Sequence, residues 1–480
     1  MTKSTLSRRE LLQTTAAASL SFATPRSARA QTTADVIVIG AGLSGLNATL
    51  NLEDQGLNVV ILEGRQRVGG RVFSVDSVPG NPEGGANAIA GAYPRLRSAA
   101  ERFGVELESN VPRMQYMRDQ ALVLDGKYIP KEEWPDSPRN PFPDDLKETM
   151  PWQYRGPLIS AMNPLKELDD WSDPKFAEYD ISLNDFLKQQ GASDAMIELA
   201  ININFSHGGS AHDVSLMHFL QRDLWIKTQQ ADGPVNDIGK GGNMRVPEGI
   251  AANLKSDIIL GKKVLGIRSE ADGADVVCTD GSRYRAPYVI CTIPLPVLRL
   301  LRIDPVLTGA QQKAVHTADY ARCSQVHLVP KEPFWEDDGF PLMMWTDGPA
   351  GFVVPFHLGE TLEEVTSITA FVRDNQCLYL DSLGPEGAKA AVLQAIEEIR
   401  PAAKDKIEAP HYHSWQLDEF ALGADYMVWG PGEVTDFYGK LWAPHERIHF
   451  CGQHTAEVEV GMEAAMESGE RVALEVLERA

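Results

Sequence analysis

One stretch constrains this chain more than any other. Ala34-Asp35-Val36-Ile37-Val38-Ile39 is a β-branched run that breaks into Gly40-Ala41-Gly42-Leu43-Ser44-Gly45. An apolar run of this kind closed by glycine predicts a parallel strand buried on both faces. The residues that follow, to about Gln55, set Ala48 and Leu52 one turn apart and predict a helix. Val59-Val60-Ile61-Leu62 then predicts a second strand ending in Glu63. Each residue type has a task in such a unit. Gly40 permits the tight turn, Gly42 lets the backbone approach a pyrophosphate, and Gly45 lets the helix lie close to the strand. The helix start at Leu43 and Ser44 offers free N–H groups and the positive end of the helix dipole to phosphate. Glu63 lies eighteen residues past Gly45, where an acid accepts from ribose hydroxyls. Strand, turn, helix and acid together predict a dinucleotide site, which the glycine pattern alone would not.

The chain continues Gly64-Arg65-Gln66-Arg67-Val68-Gly69-Gly70-Arg71. Gly69 and Gly70 permit a second close backbone approach, and Arg65 and Arg71 carry forked donors suited to phosphate. Composition narrows the partners. The 67 acidic residues exceed the 45 basic ones, for a net charge of −22 over 480 residues. Nucleic acid and anionic membrane surfaces, which need basic patches, are not expected partners. Five scattered cysteines form neither a disulfide framework nor a metal motif and read as small buried hydrophobes. No metal is expected, and no G-x-S-x-G elbow points to a hydrolase.

The N-terminus reads as an address. Arg8-Arg9 precedes a weakly apolar run from Leu11 to Phe22, and Ala28-Arg29-Ala30 follows. A basic start, a short apolar middle and an A-x-A end predict a secretory signal, and the paired arginines resemble a twin-arginine signal. Cleavage after Ala30 removes five basic residues and one acidic one, taking the net charge from −22 to −26. A periplasmic or secreted location, delivery through the Tat translocase, and no membrane insertion of the mature chain are the expectations. The oligomeric state is left open.

Motifs along the rest of the chain name a family. The Glu63 to Arg71 stretch resembles the E-x-x-x-R-x-G-G-R signature of the flavin monoamine oxidase family. Gly241-Gly242-Asn243-Met244-Arg245-Val246-Pro247 resembles its G-G-x-x-x-L-P segment. Tyr288 to Pro296 resembles its return strand, and Lys331-Glu332-Pro333-Phe334-Trp335 a common middle segment. Arg447-Ile448-His449-Phe450-Cys451-Gly452-Gln453-His454-Thr455, followed by Gly461-Met462-Glu463-Ala464-Ala465, resembles its closing strand and helix. The resemblance implies an α/β fold in which a Rossmann-like FAD-binding domain is interleaved with a mixed-sheet and helical substrate domain. On that basis the FAD-binding part takes residues 34–90, 236–300 and 445–480, and the substrate part takes 91–235 and 301–444. Within the latter, residues 143–224 read as a helical lobe, 352–372 as sheet, and Lys389 to Ile399 as an amphipathic helix over it. The resemblance also implies that the Val264 backbone meets the adenine. Gly452, Gln453, Gly461, Met462 and Ala465 fall in the segments that meet the flavin, and Trp415 resembles the tryptophan packed against its ring.

Departures from the family pattern fall on the substrate side. Gln325 stands where relatives carry a lysine near the flavin, and Arg322 is the next cation upstream. Asp425 and Gly461 occupy the positions of two facing aromatics, and Tyr426 falls one place after the first; Asp425 reads either as a carboxylate that faces the flavin and anchors a cationic amine or takes a proton, or as a solvated turn residue. The aromatic cage is therefore expected to be dismantled unless a one-residue shift restores Tyr426. Ala424 stands where some relatives carry a flavin-linking cysteine, so FAD is expected to be non-covalent. Asn202, Asn204 and His207 are further candidates for the substrate pocket, and His454 for support of the closing strand. The expected activity is oxidation of an amine or amino acid by hydride transfer to flavin, with oxygen or a periplasmic carrier as acceptor. Alcohol oxidation or C–C desaturation on the same fold, or a flavin-binding role with little turnover, are the alternatives.

Overall fold

The computed structural model describes residues 34–117, 119–230, 235–424 and 426–480. The segment read as a signal peptide and Asp425 lie outside the described residues.

The apolar run after Ala34 becomes the strand Val36–Ile39, every residue of it buried. It is the middle strand of a five-stranded parallel sheet. Val59–Leu62 and then Asp257–Ile259 lie on one side of it, and Tyr288–Cys291 and then Ile448–Phe450 on the other. Strands far apart in sequence thus align their carboxyl ends at Gly40, Glu63, Thr292 and Gly452. In an open parallel sheet, ligands bind outside those ends. Two helices pack together on one face, Leu43–Asp54 and Gly461–Leu477. Gly469 makes the approach possible, because a Cβ there would lie 2.4 Å from the Ser44 carbonyl oxygen.

A seven-stranded mixed sheet forms the second layer system. Its order is Ile407–Ser414, Cys323–Pro330, Ser367–Arg373, Phe352–Phe356, Met343–Thr346, Gln120–Leu124 and Lys127–Ile129. The amphipathic reading of Lys389 to Ile399 holds within the longer helix Gly384–Ile399. Ala388, Val392 and Ile396 cover one face of the sheet through Val326, Leu328 and Val372. The opposite face presents Cys323, Phe371 and Trp415 toward the dinucleotide sheet. The expected helical lobe contains Arg155–Met162, Leu183–Gln189 and Leu216–Gln230, joined by short 3-10 and π turns. Leu216–Gln230 grips the loop before the last helix: Gln221 Nε2 donates to the Val458 carbonyl at 2.8 Å, and Trp225 Nε1 to Glu459 at 3.0 Å. That grip sets the helical lobe over the carboxyl end of the parallel sheet. The architecture is the mixed α/β fold expected from the sequence. All five cysteines are buried and free. Among the described residues no helix is long and apolar enough to cross a membrane.

Candidate active site

A single cavity of about 590 Å³ runs along the carboxyl ends of the parallel sheet and on under the helical lobe. Its first part is the glycine cradle. Gly40 has φ +107°, and a Cβ there would lie 2.3 Å from Thr292 Oγ1. A Cβ on Gly45 would lie 2.1 Å from the Gly40 carbonyl oxygen, which is the close helix–strand contact the sequence predicts. A Cβ on Gly42 meets only Gly70 Cα, at 3.9 Å, so the open side of Gly42 faces the cavity. Leu43, Ser44, Gly64, Gly69 and Gly70 also line it. A trough open at Gly42, beside the start of a twelve-residue helix, fits a pyrophosphate.

Glu63 lines the cavity and is only 4% exposed. Its Oε2 accepts from the Ala41 N–H at 2.8 Å and its Oε1 from the Arg65 N–H at 2.7 Å. The carboxylate therefore pins the glycine turn to the end of the second strand, and each oxygen keeps lone-pair capacity for a ribose hydroxyl. Val264 lines the same end, with Lys262, Lys263 and Thr279. Arg65 and Arg71 line the cavity too, but both are engaged by the protein. Arg65 Nη2 pairs with Asp418 at 2.5 Å, and its guanidinium lies over the Phe420 ring. Arg71 Nη1 donates to the Ala424 carbonyl at 2.8 Å.

Trp415, Gly452, Gln453, Gly461, Met462 and Ala465 also line the cavity. Trp415 Nε1 donates to the Gly84 carbonyl at 2.7 Å, which fixes the plane of the indole. Gln453 Oε1 is buried and has no protein partner. An orphaned acceptor, an open glycine trough and a fixed indole along one continuous cavity fit a flavin dinucleotide: adenosine at Glu63 and Val264, pyrophosphate at Gly42, ring system near Trp415 and Gln453.

The far end is an aromatic chamber that the sequence only partly revealed. Tyr426 lines it, as do Tyr93, His207, Arg222, Trp225 and Arg373. The Tyr426 and His207 rings stack at 5.7 Å and 4°. Tyr93 and Trp225 lie 5.9 Å apart on the adjoining wall. A Cβ on Gly461 would lie 2.5 Å from Tyr93 Oη, so the tyrosine occupies the space that the glycine leaves. Tyr426 and Tyr93 thus both line the cavity, the second from a segment that the sequence reading did not include. His207 is neutral, because burial first and then the charges of Arg222 and Arg155 hold its pKa well below the usual value. His218, edge-on to it, is pushed down to about 3 by burial first and then the same two cations.

Several expected positions lie elsewhere. Gln325 is 3% exposed and does not line the cavity. It shares the inward face of its strand with Cys323 and sits opposite Phe371 and His413 in the register. Arg322 is not the chamber's cation: it pairs with Asp374 at 2.9 Å and Asp319 at 3.6 Å, outside the cavity. Arg373, opposite Cys323, lines the cavity instead. Asn202 and Asn204 are not at the pocket either. Asn202 bonds Glu198 and the Ala211 N–H, and Asn204 the Thr346 carbonyl. His454 is buried beside Gly452, under the turn after the closing strand. One signal for the missed residues was available: Arg222 and Trp225 are three apart, on the same side of one helix as buried apolar positions.

Comparison with known proteins agrees with this geometry. The family model for flavin containing amine oxidoreductase matches residues 43–477. A flavin-containing amine oxidase of Danio rerio is 27% identical over 476 residues, covering 92% of this chain and 85% of its own. The human flavin-containing amine oxidase B is 25% identical over 480 residues, covering 92% and 86%. Among solved structures, wild-type putrescine oxidase bound to putrescine superposes with a TM-score of 0.72 at 21% identity, covering 93% of this chain and 99% of its own. Cyclohexylamine oxidase from Brevibacterium oxydans gives 0.71 at 19% identity with the same coverage. The chain belongs to the flavin-containing amine oxidoreductase family, and its enzyme class is that of the FAD-dependent amine oxidases.

Proposed function

We propose that this protein removes hydride from the carbon beside an amine nitrogen, and that the resulting imine hydrolyses to a carbonyl compound and the smaller amine. The observation that carries the reading is the continuity of one cavity from the glycine cradle, past Trp415, to the walls of Tyr93, Trp225 and Tyr426. When bound, FAD supplies the acceptor for the hydride and its electron pair. The chain's own residues orient and shield. Trp415, held through its N–H by Gly84, would give the flavin ring a fixed surface. Tyr93, Trp225 and Tyr426 exclude water from the reacting carbon and give an apolar substrate body flat surfaces to pack on. His207 shares Nδ1 with Ser206 Oγ at 2.8 Å, and its stacked ring holds Tyr426 in place. Anaerobic mixing of the holoenzyme with amines, amino acids and alcohols tests the reading. Bleaching of the flavin band by an amine supports it, and bleaching by alcohols alone overturns it.

FAD is held without a covalent bond. Ala424 lines the cavity, and no cysteine lines it among the described residues. Acid precipitation should release the yellow colour, and colour left in the pellet would refute this. The protein is exported through the twin-arginine route, on the strength of Arg8-Arg9 and Ala28-Arg29-Ala30. Changing both arginines to lysine should trap the precursor in the cytoplasm. The electrons pass on to oxygen or to a periplasmic carrier.

A further inference from the structure

The chamber has an unusual charge for a site that receives amines. Arg222 reaches into it from the helix Leu216–Gln230. Its Nη2 donates to Tyr426 Oη at 3.0 Å, and its guanidinium carbon lies 4.6 Å from that ring's centroid. Its Nη1 is buried and has no hydrogen-bond partner among the described residues. Arg373 lines the same chamber. Arg155 stands behind, over the Phe219 ring, close enough to Arg222 that this second cation, after burial, helps push its own pKa down to about 10. Among the described residues no carboxylate lines this end. Glu459 holds Trp225 Nε1 from outside, and Glu463 is engaged by Arg95 and by the N–H groups of Arg95 and Leu96.

A guanidinium with one buried, unanswered N–H is costly. The cost is offset when an anion enters, because the planar fork matches a carboxylate with charge-assisted hydrogen bonds. The aromatic walls fit an apolar body, and the cations fit an anionic group attached to it. The same positive field favours the amine in its neutral form, since a nearby cation disfavours the ammonium. Only the neutral amine has the lone pair that assists hydride departure from the neighbouring carbon.

We propose that the substrate carries a carboxylate beside its amine, and that Arg222 is the specificity-determining residue that binds it. The proposal rests on the amine-oxidising reading, but it can fail separately. The test uses the FAD-loaded enzyme and a probe that undergoes no oxidation. Benzoate should perturb the visible flavin spectrum saturably and bind at least about tenfold more tightly than its neutral counterpart benzamide, the least that a charge-assisted hydrogen bond contributes. Arg222→Met should remove that preference while benzamide binding stays as it was, and Arg222→Lys, which keeps the charge without the fork, should restore part of it. Equal affinities for benzoate and benzamide in the unaltered enzyme overturn the proposal, and that measurement does not depend on any variant folding. Undiminished benzoate binding by Arg222→Met also overturns the role of Arg222. If benzoate shows no preference while a simple amine bleaches the flavin, the carboxylate proposal alone has failed. If benzoate binds as expected and no amine of any kind bleaches the flavin, the oxidation reading has failed and the anion site stands.

Discussion

Glu63 separates a structural task from a binding task, and its removal gives the most telling measurement. Sequence patterning assigns it to the ribose, whereas the structure shows both of its oxygens already bonded to the chain, to the Ala41 N–H at 2.8 Å and the Arg65 N–H at 2.7 Å. Glu63→Ala breaks both bonds. A hydrogen bond to a charged group contributes about 1.5–3 kcal/mol. Ala41 is fully buried, so its N–H is left without any acceptor, whereas Arg65 is partly exposed and water can replace its lost partner at a net cost of about 1 kcal/mol. The expected loss is therefore about 3 kcal/mol in the protein free of FAD, before any ribose contact is counted. Urea unfolding of the apoprotein, followed by tryptophan fluorescence, reads it. Glu63→Gln keeps an acceptor for one of the two N–H groups and should lie between. An apoprotein whose stability changes by less than about 0.5 kcal/mol, with FAD affinity alone reduced, would refute the pinning argument and return Glu63 to a purely ribose-binding role.

The other expectations are brief. Gly42→Leu should fold as the unaltered chain does but fail to bind FAD, because its side chain enters open cavity, whereas Gly45→Leu should lose stability as well, its Cβ meeting backbone at 2.1 Å. Equal unfolding midpoints for those two variants would contradict this. Burial pushes the Glu83 carboxyl up from 4.5 to about 8, against the bonds from the Asn243 N–H and Ser74 that favour the ionised form. The folded state thus holds a proton that the unfolded chain releases, so this contribution is complete below about pH 4.5 and is lost as pH rises through about 8. Glu83→Gln should flatten the stability–pH curve over that window, and parallel curves for the two proteins would count against it. Gln325→Lys should lower the melting temperature without speeding reoxidation by oxygen, because it buries an ammonium at a position 3% exposed and outside the cavity. Faster reoxidation in stopped flow would show that position to face the flavin.

What was legible in the sequence was local. The strand Val36–Ile39, the glycine turn, the helix Leu43–Asp54 and Glu63 fall within thirty residues, and each dictates the next through backbone sterics and periodicity. The closing block from Arg447 was legible through resemblance. The chamber was not, because its walls come from segments whose meeting depends on tertiary packing. Tyr93 precedes a short helix, Arg222 and Trp225 lie on a lobe helix, and Arg373 ends a strand of the other sheet. Counting back from Trp335 leads to Gln325, on a strand of the mixed sheet and on the face it shares with Cys323. It could not show that the cavity takes in Arg373, opposite Cys323, and not Gln325.

The altered cage follows one steric rule. With Tyr93 Oη 2.5 Å from where a Cβ on residue 461 would lie, a side chain at 461 requires Tyr93 to move. Gly461, with φ +61°, thus leaves free the space that Tyr93 Oη occupies. Tyr93 lies against Trp225, and Trp225 is carried on the same helix as Arg222, one turn away. Trp225 on the chamber wall and the Arg222 guanidinium are therefore tied to one element. The charge of the chamber and the geometry of its aromatics are two consequences of how that helix is seated on the loop before Gly461.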